Sequence, residues 1–109
     1  FLLPHGAELV PELRDLGLHF VEKYQYSAFA GGSQLEAYLK ERCVEEVVLT
    51  GINTDYCVLA TALDAFAARL RTTVVKDAVT SVCGEVGHAQ GLAQIEKYLG
   101  SVCRDAADF

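Results

Sequence analysis

"VVLTGINTDYCVLATALDAF", residues 47–66, decides how this chain folds. Val47, Val48 and Leu49 form a continuous apolar run, which suits a parallel strand covered on both faces. A tight turn follows, and Thr54 or Asp55 can cap the helix after it. That helix is apolar nearly all round through Val58, Leu59, Ala62, Leu63, Ala65, Phe66 and Leu70, so burial is expected. Its alanines permit close approach to a sheet. Cys57 falls in its first turn, just past the carboxyl end of the strand at 46–50. Open α/β sheets bind their ligands at that end. The unpaired N–H groups and dipole of a helix start also favour a thiolate there.

The flanking sequence extends this unit in both directions. Residues 1–17 read as connection, punctuated by Pro4, Gly6, Pro11 and Gly17. "LHFVEK" at 18–23 reads as a strand, which sets Lys23 at its end. If it lies beside the 46–50 strand, Lys23 and Cys57 meet at one edge of the sheet. Ser33 and Glu36 form a capping-box pattern that opens a helix over 34–42, with Leu35, Tyr38 and Leu39 on its apolar face. "TTVVKDA" at 72–78 reads as a further strand, and Asp77 is expected to fix the loop after it. A last helix over 86–99 carries Leu92, Ile95 and Leu99 on one stripe, with Gly100 as its stop. Gly87 and Gly91 weaken its first half.

Strand–helix alternation of this kind argues for right-handed βαβ units and a parallel sheet. The expected fold is α/β, a Rossmann-like three-layer α/β/α parallel sheet formed by one domain over residues 1–109. Three strands are few for such a sheet. The expectation is an incomplete fold whose N-terminal strands precede Phe1.

Composition narrows the function. The chain has 109 residues, 51% hydrophobic and 22% charged, which is a globular rather than a disordered composition. Its net charge is −6 with no basic patch, so neither nucleic acid nor an acidic membrane surface is an expected partner. No apolar run reaches the roughly 18 residues of a membrane span. Cys43, Cys57, Cys83 and Cys103 contain no C-x-x-C pair, and the reading is a reduced, cytoplasmic protein. Cys43, Cys83 and Cys103 are expected to be structural. His5, His19 and His88 are scattered and complete no metal site.

"VEKYQYSAF" (21–29) and residues 47–66 resemble the two C-terminal signatures of the isochorismatase-like cysteine hydrolases, which include nicotinamidases and other amidohydrolases. "GAELVPEL" (6–13) and "VVKDAVTS" (74–81) match in order and spacing, so the resemblance covers nearly the whole chain as the C-terminal portion of that fold. It implies Cys57 as nucleophile and Lys23 as its catalytic lysine. It also implies a cis peptide between Ile52 and Asn53, which turns the Asn53 N–H into an oxyanion hole shared with the Cys57 N–H. The Asn53 amide either reaches into the pocket or satisfies the turn. Tyr26 and Phe29 either line the substrate pocket or pack the loop. The family's catalytic Asp lies in a D-x-Q-type segment that this sequence lacks; Asp15, Asp55, Asp64, Asp77, Asp105 and Asp108 stand in other contexts.

The resemblance therefore implies hydrolysis of a small amide through a Cys57 thioester, with this chain alone inactive for want of the Asp. Relatives that cleave a vinyl ether lack the cysteine, so its presence favours an amide. No cofactor is expected on this chain. A divalent metal such as zinc would need ligands from the missing N-terminal segment. A homo-oligomer is expected, as relatives commonly associate. The competing reading is a non-catalytic, truncated α/β module that acts by assembly. A redox thiol protein is a weaker third, disfavoured by the absence of a resolving C-x-x-C.

Overall fold

A computed structural model describes residues 11–109; residues 1–10, with His5 and most of the "GAELVPEL" match, lie outside the described residues. The elements in chain order are α1 (Pro11–Arg14), α2 (Leu35–Glu41), β1 (Glu46–Ile52), a π-helical turn (Thr54–Val58) that runs into α3 (Leu59–Ala67), β2 (Arg71–Thr80), α4 (Gly84–Leu99), β3 (Cys103–Arg104) and a closing 3₁₀ turn.

The sheet is parallel with order β1-β2-β3. This is the expected α/β architecture, but one expected strand is replaced by another. Residues 18–23 form no strand, and residue after residue there is exposed save Val21. The strand after β2 is instead the short Cys103–Arg104 pairing with Val74 and Val75. An isolated extended segment has no ladder to satisfy its N–H and C=O groups, whatever its propensity.

Consecutive parallel strands need crossovers, and α3 and α4 supply them. Both pack on β2 and on each other. Val58, Ala62, Val74, Val79 and Ile95 form the buried cluster between sheet and helices, flanked by Leu49, Leu92 and Leu99. Ala62 and Ala65 are fully buried, as a helix pressed on a sheet requires. Phe66 departs from the expected all-round burial and is 58% exposed, because only one side of α3 meets the sheet and α4. β1 is likewise not covered on both faces. Leu49 packs on the core while Val48, its neighbour across the pleat, is 48% exposed.

Helix starts differ from expectation in detail. Ser33 does accept a helix-entry N–H, but from Leu35 at 3.1 Å, and Glu36 pairs with Lys40 at 3.2 Å instead of closing a capping box. Pro11 opens α1 within the stretch read as connection. Asp77 lies inside β2 and accepts the Ala106 N–H at 2.8 Å, so it anchors the C-terminal segment rather than the loop after its strand.

Gly87 and Gly91, read from propensity as weak points of α4, are both buried at its closest approach to the π turn. A Cβ on Gly91 would stand 2.7 Å from the Asp55 nitrogen and 2.7 Å from the Thr54 carbonyl carbon. Real side chains do not tolerate such distances. The glycines let a helix backbone lie directly on the turn that carries Cys57.

Candidate active site

The turn between β1 and α3 is built from the backbone outward. The Ile52–Asn53 peptide is cis. The Asn53 carbonyl then accepts N–H groups from both Tyr56 (3.1 Å) and Val58 (3.0 Å), the second spanning five residues and making the turn π-helical. Single π turns of this kind are frequent at functional sites. Neither Thr54 nor Asp55 caps it. Thr54 is completely buried with its hydroxyl 2.8 Å from His88 Nδ1, and Asp55 accepts the Ser81 hydroxyl at 2.7 Å. The Asn53 side chain does not turn into the cleft; its Oδ1 accepts the Val82 N–H at 2.9 Å. Side chains at three successive positions thus tie the turn to the segment from Ser81 to His88.

Cys57 emerges half-buried from this turn with Lys23 Nζ 3.6 Å from its Sγ. The Lys23 ammonium also donates to the Gln25 carbonyl, which holds it over the thiol. The loop carrying it is secured from α3, where Thr61 Oγ1 accepts the Ala28 N–H at 3.0 Å. Lys23 and Cys57 therefore meet even though 18–23 is not a strand. Sequence reasoning missed Thr61 and His88; their spacing from the turn carries no local signal.

A cleft of about 390 Å³ opens beside the thiol, lined by Lys23, Leu35, Val48, Gly51, Cys57 and Thr61 among others. A larger one, about 700 Å³, adjoins the other side of Lys23 and is lined by Tyr26, Ser27, Ala60 and Asp64. Only the first reaches Cys57, so it is the one positioned for chemistry on sulfur. Tyr26 is 66% exposed and stacks on Tyr56, with ring centroids 5.9 Å apart. Phe29 lines neither cleft, and its N–H donates to Ser27 Oγ at 3.1 Å. Among the described residues no carboxylate is paired with Lys23 or Cys57. Nor do three or more His, Cys, Asp or Glu residues gather there to hold a metal, so the described residues do not fit one.

The expectation of structural thiols fits Cys103, which packs against the core cluster, and does not fit the other two. Cys43 and Cys83 are exposed, and only Cys103 is partly buried. Burial and the nearby Glu96 carboxylate push the Cys103 thiol up to about 11, against a smaller opposing effect of Lys76. We expect iodoacetamide at pH 8, followed by mass spectrometry, to label Cys57 fastest and Cys103 slowest. Faster labelling of Cys43 or Cys83 would contradict the assignment of Cys57. The Cys103 shift has a stability consequence as well. The folded thiol keeps its proton to higher pH than the unfolded one, so its contribution is full below about pH 9 and is lost as pH rises toward 11. Urea unfolding across that range checks it, with Cys103→Ala removing that component of the pH slope.

The isochorismatase domain family matches residues 3–107 of the chain. An isochorismatase family protein, PncA, of Bacillus subtilis (strain 168) is 44% identical over 84 residues, 77% of this chain and 45% of that protein. The ureidoacrylate amidohydrolase RutB of Caulobacter vibrioides is 35% identical over 102 residues, 94% of this chain and 43% of RutB. The crystal structure of the nicotinamidase SaPncA from Staphylococcus aureus superposes with a TM-score of 0.79 at 30% identity, over 92% of this chain and 66% of that one. The chain spans under half the length of these two curated relatives. With a parallel sheet, a cysteine turn beyond its carboxyl edge and a domain match from residue 3 to residue 107, the chain belongs to the isochorismatase domain family.

Proposed function

We propose that the protein is a cysteine hydrolase of small amides that works through a thioester on Cys57. The observation that carries this reading is the 3.6 Å approach of the Lys23 ammonium to Cys57 Sγ in the turn that runs into α3. The cation and the helix start both direct positive charge at the sulfur, and a thiolate is the form of cysteine that attacks. The amidohydrolase and nicotinamidase among the relatives support an amide as the bond cleaved.

The thiolate adds to the amide carbonyl carbon, and the C=O electron pair moves onto oxygen. The N–H groups of Asn53 and Cys57 belong to the same turn and are the donors for that oxyanion. As the carbonyl re-forms, the C–N bond breaks and the nitrogen takes a proton from the general acid, leaving as ammonia or an amine. Water, deprotonated by the same group, adds to the thioester. The C–S bond then breaks, releasing the carboxylic acid and the thiolate.

The group that moves these protons lies outside the described residues, since none of their carboxylates is paired with Cys57 or Lys23. On this reading we expect no turnover from the 109-residue chain alone and turnover from a longer form that carries an aspartate upstream. Acid–base help is worth about 10²–10⁴-fold. Ammonia release from a panel of amides, nicotinamide and ureidoacrylate among them, tests both forms. Turnover by the short chain, lost in Cys57→Ala, would show that a residue within it is the base. Failure of every form with every amide would leave the non-catalytic module as the reading.

The site takes a small amide and neither nucleic acid nor a membrane; no described helix is long and apolar enough to cross a membrane. We also assign a reducing, cytoplasmic setting and a homo-oligomer, supported by the four unbridged cysteines and by the exposed Val48 and Ile52 of β1. Lys23→Met tests the electrostatic part. It should slow alkylation of Cys57 severalfold while leaving exposed Cys43 unchanged, because the cation 3.6 Å from the reacting sulfur is gone. Equal rates in both proteins would remove Lys23 from the mechanism.

A further inference from the structure

We infer that His88 is a positioning residue for this reaction, holding the nucleophile turn in place through Thr54; the inference rests on the thioester reading of the site. Thr54 is completely buried between Asn53, a proposed oxyanion donor, and the residues leading to Cys57. Its hydroxyl reaches His88 Nδ1 at 2.8 Å, across 34 residues of chain. A buried hydroxyl without a partner is costly, so the turn is most stable where this bond forms.

His88 is suited to set a position because of where it stands. The ties from Asn53 and Asp55 end on Val82 and Ser81, in the loop between β2 and α4. His88 stands on the 16-residue α4, in helical register with Gly91 and Ile95. Ile95 is completely buried in the core, and the Gly91 backbone lies against the Thr54 carbonyl and the Asp55 nitrogen. The same helix face therefore anchors in the core, abuts the turn and grips its side chain. It sets how far the Asn53 and Cys57 N–H groups lie from the sulfur and how closely the sulfur approaches Lys23. His88 does not line the cleft beside Cys57.

The test uses the protein at its natural length, with His88→Ala, His88→Asn, Thr54→Val and the double variant His88→Ala/Thr54→Val. Thr54→Val keeps the buried volume and removes only the bond, so it decides the matter if His88→Ala fails to fold. Asn places an amide oxygen near the position of Nδ1. A small misplacement of a catalytic constellation can cost about 10²-fold. We expect kcat to fall about 10–100-fold in His88→Ala and in Thr54→Val with KM changed less than about threefold. The double variant should be no worse than either, and His88→Asn should recover most of kcat. The alkylation rate of Cys57 should fall with kcat while that of exposed Cys43 does not. Thr54→Val with unchanged kcat and alkylation would overturn the proposal. So would additive losses in the double variant, or no recovery in His88→Asn. If no amide is turned over even by the parent protein, alkylation still decides the role of His88, and the failure belongs to the assignment of the reaction.

Discussion

On the proposed thioester mechanism, replacing Cys57 by alanine in the protein at its natural length is expected to abolish amide hydrolysis, a loss of at least about 10³-fold in kcat, with little change in fold stability. The size of the loss follows from what the sulfur does. Without it no thioester forms, and hydrolysis requires direct attack of water at a site arranged around Sγ. Oxyanion donors and bound substrate alone retain only a residual acceleration, because nucleophile, base and donors act as a unit. Stability should hold because Cys57 is half-buried and lies outside the core cluster of Val58, Ala62, Val74, Val79 and Ile95. The measurement is ammonia release under saturating amide, with urea unfolding of the same preparation. An activity that persists within tenfold, in a variant as stable as the parent, would falsify the covalent route. Serine at the same position should be nearly as poor, since its hydroxyl is far from ionising where a thiol is close to it.

Gly91→Ala destabilises the protein, although on an isolated helix it would do the reverse. Alanine gains about 1 kcal/mol over glycine in a helix interior. At this position its Cβ would lie 2.7 Å from the Asp55 nitrogen and the Thr54 carbonyl carbon and 2.8 Å from the Thr54 oxygen. All three are backbone atoms, which cannot swing aside as a side chain can. Either α4 moves off the turn, breaking the Thr54–His88 bond, or the turn shifts beneath Cys57. Overpacking of this sort costs about 1–3 kcal/mol, so the steric term outweighs the propensity gain. We expect a net loss of up to about 2 kcal/mol in urea unfolding. We also expect a larger proportional loss of kcat, because the atoms displaced are those beside the nucleophile. Ala89→Gly, on the exposed side of the same helix, is the reference, and should lose about 1 kcal/mol of stability with kcat unchanged. A Gly91→Ala protein more stable than the parent would show that α4 has room to move.

Residues 47–66 display their strand, turn and helix through short-range signals: an apolar run, capping side chains at Thr54 and Asp55, and apolar side chains at helical spacing. β2 and α4 are legible for the same reason, to within two residues at each end. The parallel sense of the sheet follows too, since intervening helices leave chain direction no other simple solution. The pairing of Lys23 with Cys57 was legible only as a pair of motifs. Its geometry depends on Thr61 gripping the loop at Ala28, a contact 33 residues long in sequence.

Other features were decided only when distant segments met. Residues 18–23 have strand composition yet form none, whereas Cys103–Arg104 becomes a strand because the edge of β2 is there to receive it. Strand identity is a property of the ladder as much as of the residues. Thr54 and Asp55 have the side chains of helix caps, but tertiary partners at His88 and Ser81 draw both away. Asn53 is spoken for by Val82. Gly87 and Gly91 read locally as weak helix and prove to be the surface on which the turn carrying Cys57 rests. Propensity and periodicity describe a residue's own few neighbours in the chain. They are silent on close approach between backbones far apart in sequence, and the position of Cys57 against Lys23 depends on such approaches.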